Sequence, residues 1–414
     1  MIVRYIYSSC IVIETRDLRI CCDPWFTQGI YDGSWYQYPV VEDPVGAIGH
    51  VDFVYISHIH PDHYDPPSLQ AIMRANPDCQ ILIGDKNQVF LRSKMLRDGL
   101  SPRSIGKLVV GQTRLAVIPC NSYTEQNIDS ALVVDGDGSI VVNMNDCPFD
   151  EDQVKGIQSF CGRAPDLACL PYAGAGPTPQ TYRFLTETER LKAADRKKEQ
   201  FLHQFERYLS ALQPRWALPF AGLYYLGRKL RVMNPLRGIP DAVEVKKRFG
   251  EKVLVLREGD GQIDLSSDLI SGERTEPYDV QERDRALSEF DALPMPYENE
   301  PSPSEAQLVA LLGTAHRNAI ARIRDFPSRP VLFKCPETRF MCVDHRRPGV
   351  VDVLESAASR IEREEIHIDS RLFYGLLNRK YHWNNAEIGS HFGIFRRPEV
   401  YDRRVYHLLT FLHV

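Results

Sequence analysis

The chain has 414 residues, of which 43% are hydrophobic and 25% are charged, and its formal net charge is -5 at pH 7. This length exceeds what one hydrophobic core usually serves, so a main domain with a smaller appended domain is expected. The composition is that of a soluble globular protein. Because a net negative chain offers no broad basic field, nucleic acid is not an expected partner.

The amino terminus and the cysteines favour a cytoplasmic protein. Residues 1–7 enter an alternating strand pattern directly, without the charged start and apolar core of a signal peptide. No run approaches the roughly 20 apolar residues of a membrane span. The 10 cysteines are scattered, and Cys21 and Cys22 lie in an apolar strand, so buried free thiols are favoured over disulfides.

The first predicted elements are two strands within residues 2–22, followed directly by Asp23 and Pro24. An acid at this place can accept a hydrogen bond from the second nitrogen of an imidazole ligand. It can also form a turn before the proline, and the two interpretations are compatible.

Residues 26–39 form a predicted loop that is rich in aromatic side chains. The loop is either a lid that lines a substrate pocket or a hydrophobic cap over a domain edge. The lid is preferred because the loop leaves a strand that should end at the functional site. Trp25 and Trp35 are therefore candidate substrate contacts.

Residues 51–66 carry the strongest chemical signal in the sequence. The run Phe53–Ile56 has the composition of a buried strand, and Pro61 ends that strand among four potential metal ligands. These ligands are His58, His60, Asp62 and His63.

Imidazole and carboxylate groups suit a divalent transition metal. Alternate residues of an extended segment point the same way, so His58 and His60 are expected to bind one ion. Asp62 and His63, beyond the bend, would face a second ion. A solvated polar loop is the alternative, but the chain has only 12 histidines, which makes this clustering an improbable coincidence.

The spacing His-x-His-x-Asp-His resembles the signature of the metallo-β-lactamase superfamily. The resemblance implies an α/β fold, a four-layer αβ/βα sandwich with a metal site, commonly binuclear, at one edge. It also implies that Asp23 supports the ligands.

The elements that follow suit such a sandwich. Helices are predicted over 68–75 and 87–98, and strands are predicted at 80–84, 107–110 and 115–118. A hairpin over 131–143, with its turn at 135–138, then leads to Asp146. The superfamily places a metal-bridging aspartate after such a hairpin, so the resemblance makes Asp146 the fifth ligand.

The sequence departs from the superfamily pattern before that hairpin, because it has no histidine between His63 and His203. Glu125 occupies about the place where a histidine is usually found. It is either a sixth ligand or a solvated loop charge. The final superfamily histidine is not evident either.

Several short segments, in their order along residues 10 to 265, resemble the metallo-β-lactamase-like domain of the CMP-N-acetylneuraminic acid hydroxylase family. They are Asp23-Pro24-Trp25, Ser57-His58-Ile59-His60, Asn145-Asp146-Cys147, Cys169-Leu170-Pro171-Tyr172-Ala173-Gly174-Ala175-Gly176-Pro177 and the run 213–222.

Full-length members of that family carry a Rieske iron–sulfur domain, which needs paired Cys-x-His and Cys-x-x-His ligand sets. This pair does not occur here, so sialic acid hydroxylation is not inferred. The resemblance implies the fold, the placement of the ligands and a phosphorylated or sugar-like substrate.

Further candidate substrate contacts lie in the second half of this region. The run Gly174–Gly176 permits close approach of a ligand to the backbone. Tyr172 lies just before this run, and the turn at 219–222 leads to Tyr224 and Arg228, whose cation could hold an anionic group. A solvated basic patch around Arg228 is the preferred alternative.

The composition changes after residue 270. We expect a metal-binding catalytic domain over 1–270, a polar, proline-rich connector over 271–303 and an accessory α+β domain over 304–414. A helix capped by Ser304 should open the last domain. This domain could mediate a homo-oligomer.

The sequence thus predicts a hydrolase that uses metal-activated water on an ester, lactone, amide or phosphoester of a small anionic or sugar-like molecule. Two divalent ions are expected, with zinc as the first choice and iron or manganese as alternatives. Asp62 and Asp146 are the candidate catalytic carboxylates.

Two other functions stay open. The few histidines and several carboxylates suit iron or manganese, which favours a non-haem diiron oxygenase related to the hydroxylase family. The missing histidines also permit a non-catalytic scaffold with a decayed metal site.

Overall fold

A computed structural model describes residues 1–86, 88–120, 129–353, 358 and 360–414. Its strands are β1 (Ile2–Tyr7), β2 (Cys10–Glu14), β3 (Arg19–Cys22), β4 (Trp35–Tyr36), β5 (Phe53–Tyr55), β6 (Gln80–Gly84), β7 (Pro102–Ile105), β8 (Lys107–Val110), β9 (Thr113–Pro119), β10 (Ser130–Gly136), β11 (Ser139–Asn143), β12 (Leu167–Pro171), β13 (Trp216–Phe220), β14 (Tyr225–Leu226), β15 (Gly261–Asp264), β16 (Leu269–Ser271), β17 (Val331–Lys334), β18 (Phe340–Asp344), β19 (Arg347–Val353), β20 (Arg363–His367) and β21 (Gly393–Arg397).

The helices are α1 (Ile30–Gly33), α2 (Pro44–Ile48), α3 (Pro66–Ala75), α4 (Val89–Arg97), α5 (Glu151–Cys161), α6 (Glu187–Leu212), α7 (Ala242–Phe249), α8 (Val280–Ser288), α9 (Glu305–Arg322), α10 (Ser370–Leu377), α11 (Trp383–Ile388) and α12 (Arg403–Phe411). Two 3₁₀ helices span Arg228–Leu236 and Pro296–Asn299.

Two large sheets carry parallel strands whose carboxyl ends bear the candidate ligands. The first sheet has eight strands in the order β16-β15-β1-β2-β3-β5-β6-β7, and β3, β5, β6 and β7 run parallel. The second has six strands in the order β13-β12-β11-β10-β9-β8, with β11, β12 and β13 parallel.

The two sheets pack face to face across an apolar core. Val3, Ile11 and Leu82 of the first sheet share this core with Leu132 and Leu167 of the second. Leu69 and Leu91, from α3 and α4, cover the outer face of the first sheet, and α5 and α6 cover the outer face of the second. This arrangement is a four-layer αβ/βα sandwich, which confirms the predicted fold class.

The sequence identifies most helices by their caps. Thr186 caps α6 and Ser304 caps α9, each through a capping box that satisfies backbone N–H groups of the first turn. Ser304 therefore has the predicted role. The helices predicted over 68–75 and 87–98 begin and end within two residues of α3 and α4.

The last part of the chain forms its own five-stranded sheet, in the order β19-β18-β17-β20-β21. We call residues 304–414 the C-terminal unit. The residues predicted to be a connector carry α8, and the side chains of Met295 and Tyr297 are buried in the same apolar cluster as Leu308. The domain boundaries drawn from composition stay a prediction.

All 10 cysteines are buried and free, as predicted. Among the described residues, no helix combines the length and the apolar character that crossing a membrane requires.

The C-terminal unit contacts the aromatic loop over residues 26–39. The Nε2 atom of His391 donates to the backbone oxygen of Tyr31 at 2.7 Å. Ser34 donates from Oγ to the backbone oxygen of Gly389 at 2.6 Å. Burial lowers the pKa of His391 to about 4, so the imidazole is neutral at pH 7.

Protonation of His391 should destabilise the fold in acid. Burial lowers the pKa of this imidazole to about 4 in the folded chain, whereas an ordinary histidine of the unfolded chain has a pKa of ~6.5. Between these two pH values, His391 is protonated in the unfolded chain and neutral in the folded chain. The contribution of His391 to the free energy of unfolding is complete above pH ~6.5 and falls by up to about 3 kcal/mol towards pH ~4.

Urea unfolding at pH 7 and pH ~4.5 tests this expectation. His391→Gln keeps an amide donor near the place of Nε2 but does not titrate, so its loss of stability in acid should be smaller than that of the parent. Equal losses would contradict the assignment.

Candidate metal centre

Three of the predicted ligands converge on one point at the facing edges of the two sheets. One ligand atom each from His58, His63 and Asp146 lies within 4.8 Å of the other two. His63 Nε2 is 3.4 Å and His58 Nε2 is 3.8 Å from Asp146 Oδ1. Such a group of imidazoles and a carboxylate is able to hold a divalent cation.

The topology brings these residues together from distant parts of the sequence. His58 follows β5 and Asp146 follows β11, and both are central strands that end at the same side of the sandwich. Asn145 has a positive φ of 54°, which turns the chain sharply after β11. A polar residue directly after a parallel strand therefore lies at the rim, where ligands commonly bind in such folds.

The other two predicted ligands adjoin this group. His60 Nδ1 lies 2.9 Å from His58 Nε2, so both nitrogens are able to face one ion. Asp62 Oδ2 lies 3.4 Å from His63 Nε2. The division of these ligands between two ions stays a prediction.

Asp23 orients two of the imidazoles from behind. This fully buried carboxylate accepts from His63 Nδ1 at 2.9 Å, and from the backbone nitrogen and Oγ of Ser57 at 2.8 and 2.6 Å. Ser57 Oγ is also 3.0 Å from His58 Nδ1. With Nδ1 engaged in this way, the Nε2 atoms of His58 and His63 are directed to the centre.

The charges at the centre set the protonation of the candidate ligands. Burial alone raises the pKa of Asp146, but the charges of His63 and His58 outweigh burial and hold this pKa far below its usual range. Burial lowers the pKa of His63, whereas Asp146 and Asp62 raise it, and the net pKa is well above that of an ordinary histidine. Burial lowers the pKa of His58 and of His60, which favours the neutral form that binds metals.

Two atoms at the centre show that the residues fit a cation. His63 Nε2 and Asp146 Oδ1 are buried, and within the described part of the chain neither has a hydrogen-bond partner. Buried polar atoms are rarely left unpaired, because each one loses its interaction with water. A divalent ion between them would satisfy both atoms.

The remaining predicted site residues are placed differently. Glu125 lies outside the described residues. Trp25, Trp35, Tyr172 and Tyr224 are at most 5% exposed. Trp35 stacks on Tyr224, with a ring separation of 3.4 Å, so these side chains also serve as packing. Their contact with a substrate stays a prediction.

Arg228 is engaged with neighbouring residues. Its Nε donates to the hydroxyl of Tyr36 at 2.6 Å, and its Nη1 donates to the backbone oxygen of Pro294. Lys229 and Arg231 pair with Glu298 and Asp291. The role of the cations around Arg228, as a substrate contact or a solvated patch, stays a prediction.

Two residues near the ligands were missed by the sequence reasoning. Tyr31 donates from its hydroxyl to Asp62 Oδ1 at 2.6 Å, a contact between two loops that no local pattern announces. Burial raises the pKa of Asp129 to about 6, against the opposing charge of His60. An acid directly before β10 was a usable signal for Asp129.

Residues 2–158 match the family model described as a beta-lactamase superfamily domain. Over these residues the chain is similar to domains of that superfamily. Its members are mostly metal-dependent enzymes, and the resemblance seen in the His-x-His-x-Asp-His spacing is confirmed.

Among curated proteins, the chain is similar to two kinds of relative. A Mycolicibacterium smegmatis protein described as a Rieske 2Fe-2S iron-sulfur protein is 29% identical, over 55% of this chain and 45% of its own length. The cytidine monophosphate-N-acetylneuraminic acid hydroxylase of Danio rerio is 28% identical, over 53% of this chain and 38% of its own. The chain thus spans less than half the length of these relatives.

Solved structures with a similar fold include a metallo hydrolase, Igni18, from Ignicoccus hospitalis. It is 18% identical, with a TM-score of 0.41, over 63% of this chain and 97% of its own. CmlA, a diiron beta-hydroxylase from Streptomyces venezuelae, is 14% identical, with a TM-score of 0.41, over 60% of this chain and 51% of its own.

Replacing Asp23 by asparagine should weaken metal binding without removing a ligand. The amide cannot accept as a carboxylate does from His63 Nδ1 and Ser57 Oγ, so the imidazoles lose their fixed tautomer and orientation. We expect zinc affinity to fall about 10- to 100-fold, measured by competition with a chromophoric chelator. Asp402→Asn, which removes a mostly buried carboxylate of the C-terminal unit, is the control, and equal affinities of D23N and parent would refute this role.

Proposed function

We propose that the chain is a metal-dependent hydrolase that binds two divalent ions and acts on a small anionic substrate. The observation that carries this proposal is the convergence of buried, unpartnered ligand atoms from His63 and Asp146 beside His58. Zinc is the preferred metal because imidazole nitrogens form most of the donor set. The substrate bond would be an ester, lactone, amide or phosphoester.

The ligands divide into two groups. His58 and His60 would hold one ion, Asp62 and His63 would hold the other, and Asp146 would contact both. When bound, such ions lower the pKa of water and polarise a carbonyl or phosphoryl oxygen. Glu125 stays a candidate for one further position.

The chain's own carboxylates would position the attacking water. Asp62 keeps Oδ1 engaged with Tyr31 and presents Oδ2 on the side of His63. That oxygen is able to accept a hydrogen bond from water and so to orient it. Asp129 has a pKa raised by burial to about 6, which suits a group that takes up a proton near neutral pH.

An anionic substrate is supported by two cations at the same side of the sandwich. Lys197 donates from Nζ to the backbone oxygen of Thr178 at 2.7 Å, in the segment after β12. Arg237 donates to the backbone oxygen of Tyr224, in the segment after β13. Across the described ranges, neither cation has a carboxylate partner, and Nε of Arg237 is buried without a partner.

The positive charges of Lys197 and Arg237 repel each other. Burial and the charge of Arg237 lower the pKa of Lys197 to about 7. Gly238 allows the segment that carries Arg237 to approach α6 closely, because a Cβ atom on Gly238 would lie 3.1 Å from Cβ of Lys197. A phosphate or carboxylate group would compensate two cations that have no carboxylate partner in the described part of the chain.

An oxygenase is the second candidate, favoured by the hydroxylase and diiron names of the relatives and by the carboxylates Asp62 and Asp146 at the centre. Iron together with substrate-dependent consumption of oxygen would support it. A scaffold with a decayed site, the third possibility, predicts no stoichiometric metal.

Metal analysis and hydrolysis assays on the same preparation test the first proposal. Protein purified without added ions should contain about two ions per chain, and His58→Ala and Asp146→Ala should each lose metal. Turnover of nitrophenyl carboxylic esters and phosphodiesters should fall at least ~100-fold in both variants, since the ions supply several kcal/mol.

The exposed His203 on α6 provides a matched control, so His203→Ala should keep both ions and turnover. Iron with oxygen-dependent turnover would replace the hydrolase by the oxygenase. Protein without stoichiometric metal, or variants with full turnover, would refute both enzymes.

Replacing Lys197 by methionine should weaken anion binding. A charge-assisted contact of this kind is worth ~1.5 kcal/mol, so the dissociation constant of inorganic phosphate should rise about tenfold. Isothermal titration calorimetry of the metal-loaded protein measures this change. Lys192→Met, an exposed substitution on the same helix, should leave the dissociation constant unchanged, and an unchanged value in K197M would contradict the anion site.

A further inference from the structure

The hydroxyl of Tyr31 determines which oxygen of Asp62 faces the metal centre. Tyr31 donates to Oδ1 at 2.6 Å, and both side chains are buried. Oδ2 is left on the side of His63 Nε2, at 3.4 Å. With Oδ1 occupied by this hydrogen bond, Asp62 is prepared to bind an ion through Oδ2 alone.

The backbone that carries Tyr31 is in a conformation that side chains disfavour. Tyr31 and Asp32 both have left-handed dihedral angles, with φ of 51° and 57°. Residues other than glycine adopt this region at a cost of about 1 kcal/mol or more each. Two such residues in a row persist only when surrounding contacts hold them.

The C-terminal unit supplies those contacts. His391 donates to the backbone oxygen of Tyr31 at 2.7 Å, and Gly389 accepts from Ser34 at 2.6 Å. The loop also fits closely against the segment before the unit, because a Cβ atom on Gly33 would lie 2.7 Å from Cδ of Pro296.

The ring of Tyr31 is held as well as its backbone. It packs on Trp35 with a ring separation of 4.5 Å, and Trp35 is stacked parallel to Tyr224. Tyr224 belongs to the segment after β13, so the hydroxyl of Tyr31 is directed at Asp62 by both parts of the protein.

We propose that the C-terminal unit is a positioning element of the metal centre, in which His391 fixes the loop that aims Tyr31 at Asp62. This inference rests on the proposed metal-binding function. Tyr31 and His391 are positioning residues, because they act through Asp62 and do not themselves face the ions.

Cobalt binding to the whole chain provides the test, because the visible absorption of Co²⁺ depends on its ligands. Tyr31→Phe should lower the affinity of the weaker cobalt site about 10- to 100-fold and alter its absorption band. His391→Met, which fills the space without a donor, should produce the same changes. The double variant should show no further loss, since both substitutions remove one interaction.

Two further variants separate positioning from general stability. His391→Gln should restore the parent affinity and spectrum, because its amide is able to donate to Tyr31. His316→Met changes another buried histidine of the C-terminal unit, one that lies on α9, and should leave cobalt binding unchanged. If H391M does not fold, Ser34→Ala, which removes the bond to Gly389, takes its place.

The outcomes are distinct. A parent protein that binds no cobalt would refute the proposed function and this inference with it. A parent that binds two ions while H391M retains the same affinities and spectrum would refute the inference alone. Equal losses in H316M and H391M would also refute it, because the effect would then be one of stability.

Discussion

The candidate centre depends on the hydrogen bonds that the buried carboxylate of Asp23 accepts from His63 and Ser57. A charge at this depth is costly unless donors surround it, and three donated hydrogen bonds provide that compensation. The same hydrogen bonds orient the imidazoles. The contacts that compensate the buried charge of Asp23 therefore also orient the candidate ligands. Because Asp23 follows β3 and Ser57 follows β5, the parallel pairing of these strands is what allows Asp23 to accept from Ser57.

The sequence is informative where the chemistry is local. His58, His60, Asp62 and His63 lie within a span of six positions after one strand, and their mutual placement follows from that short spacing. Asp146 was predictable through the resemblance to the metallo-β-lactamase superfamily, which places a metal-bridging aspartate after such a hairpin. The helix cap at Ser304 was predictable because the capping box involves only four consecutive residues.

The sequence is silent where partners are far apart. The bond from Tyr31 to Asp62 depends on a left-handed backbone, which tyrosine rarely adopts and which no periodicity reveals. Arg228 and Arg237 look alike in sequence, yet the first is engaged by Tyr36 and Pro294, whereas the second is buried without a carboxylate partner in the described part of the chain. Which cation is left unpaired is decided by tertiary packing.

The bond between His391 and Tyr31 joins residues 360 positions apart. Ribosomal synthesis is directional, so all six candidate ligands leave the ribosome well before this histidine does. The nascent chain up to residue 271 is therefore able to form both large sheets and gather its ligands while the loop at Tyr31 still lacks its support. Synthesis of the segment that carries His391, and not of the sandwich alone, is the event that completes the environment of Asp62.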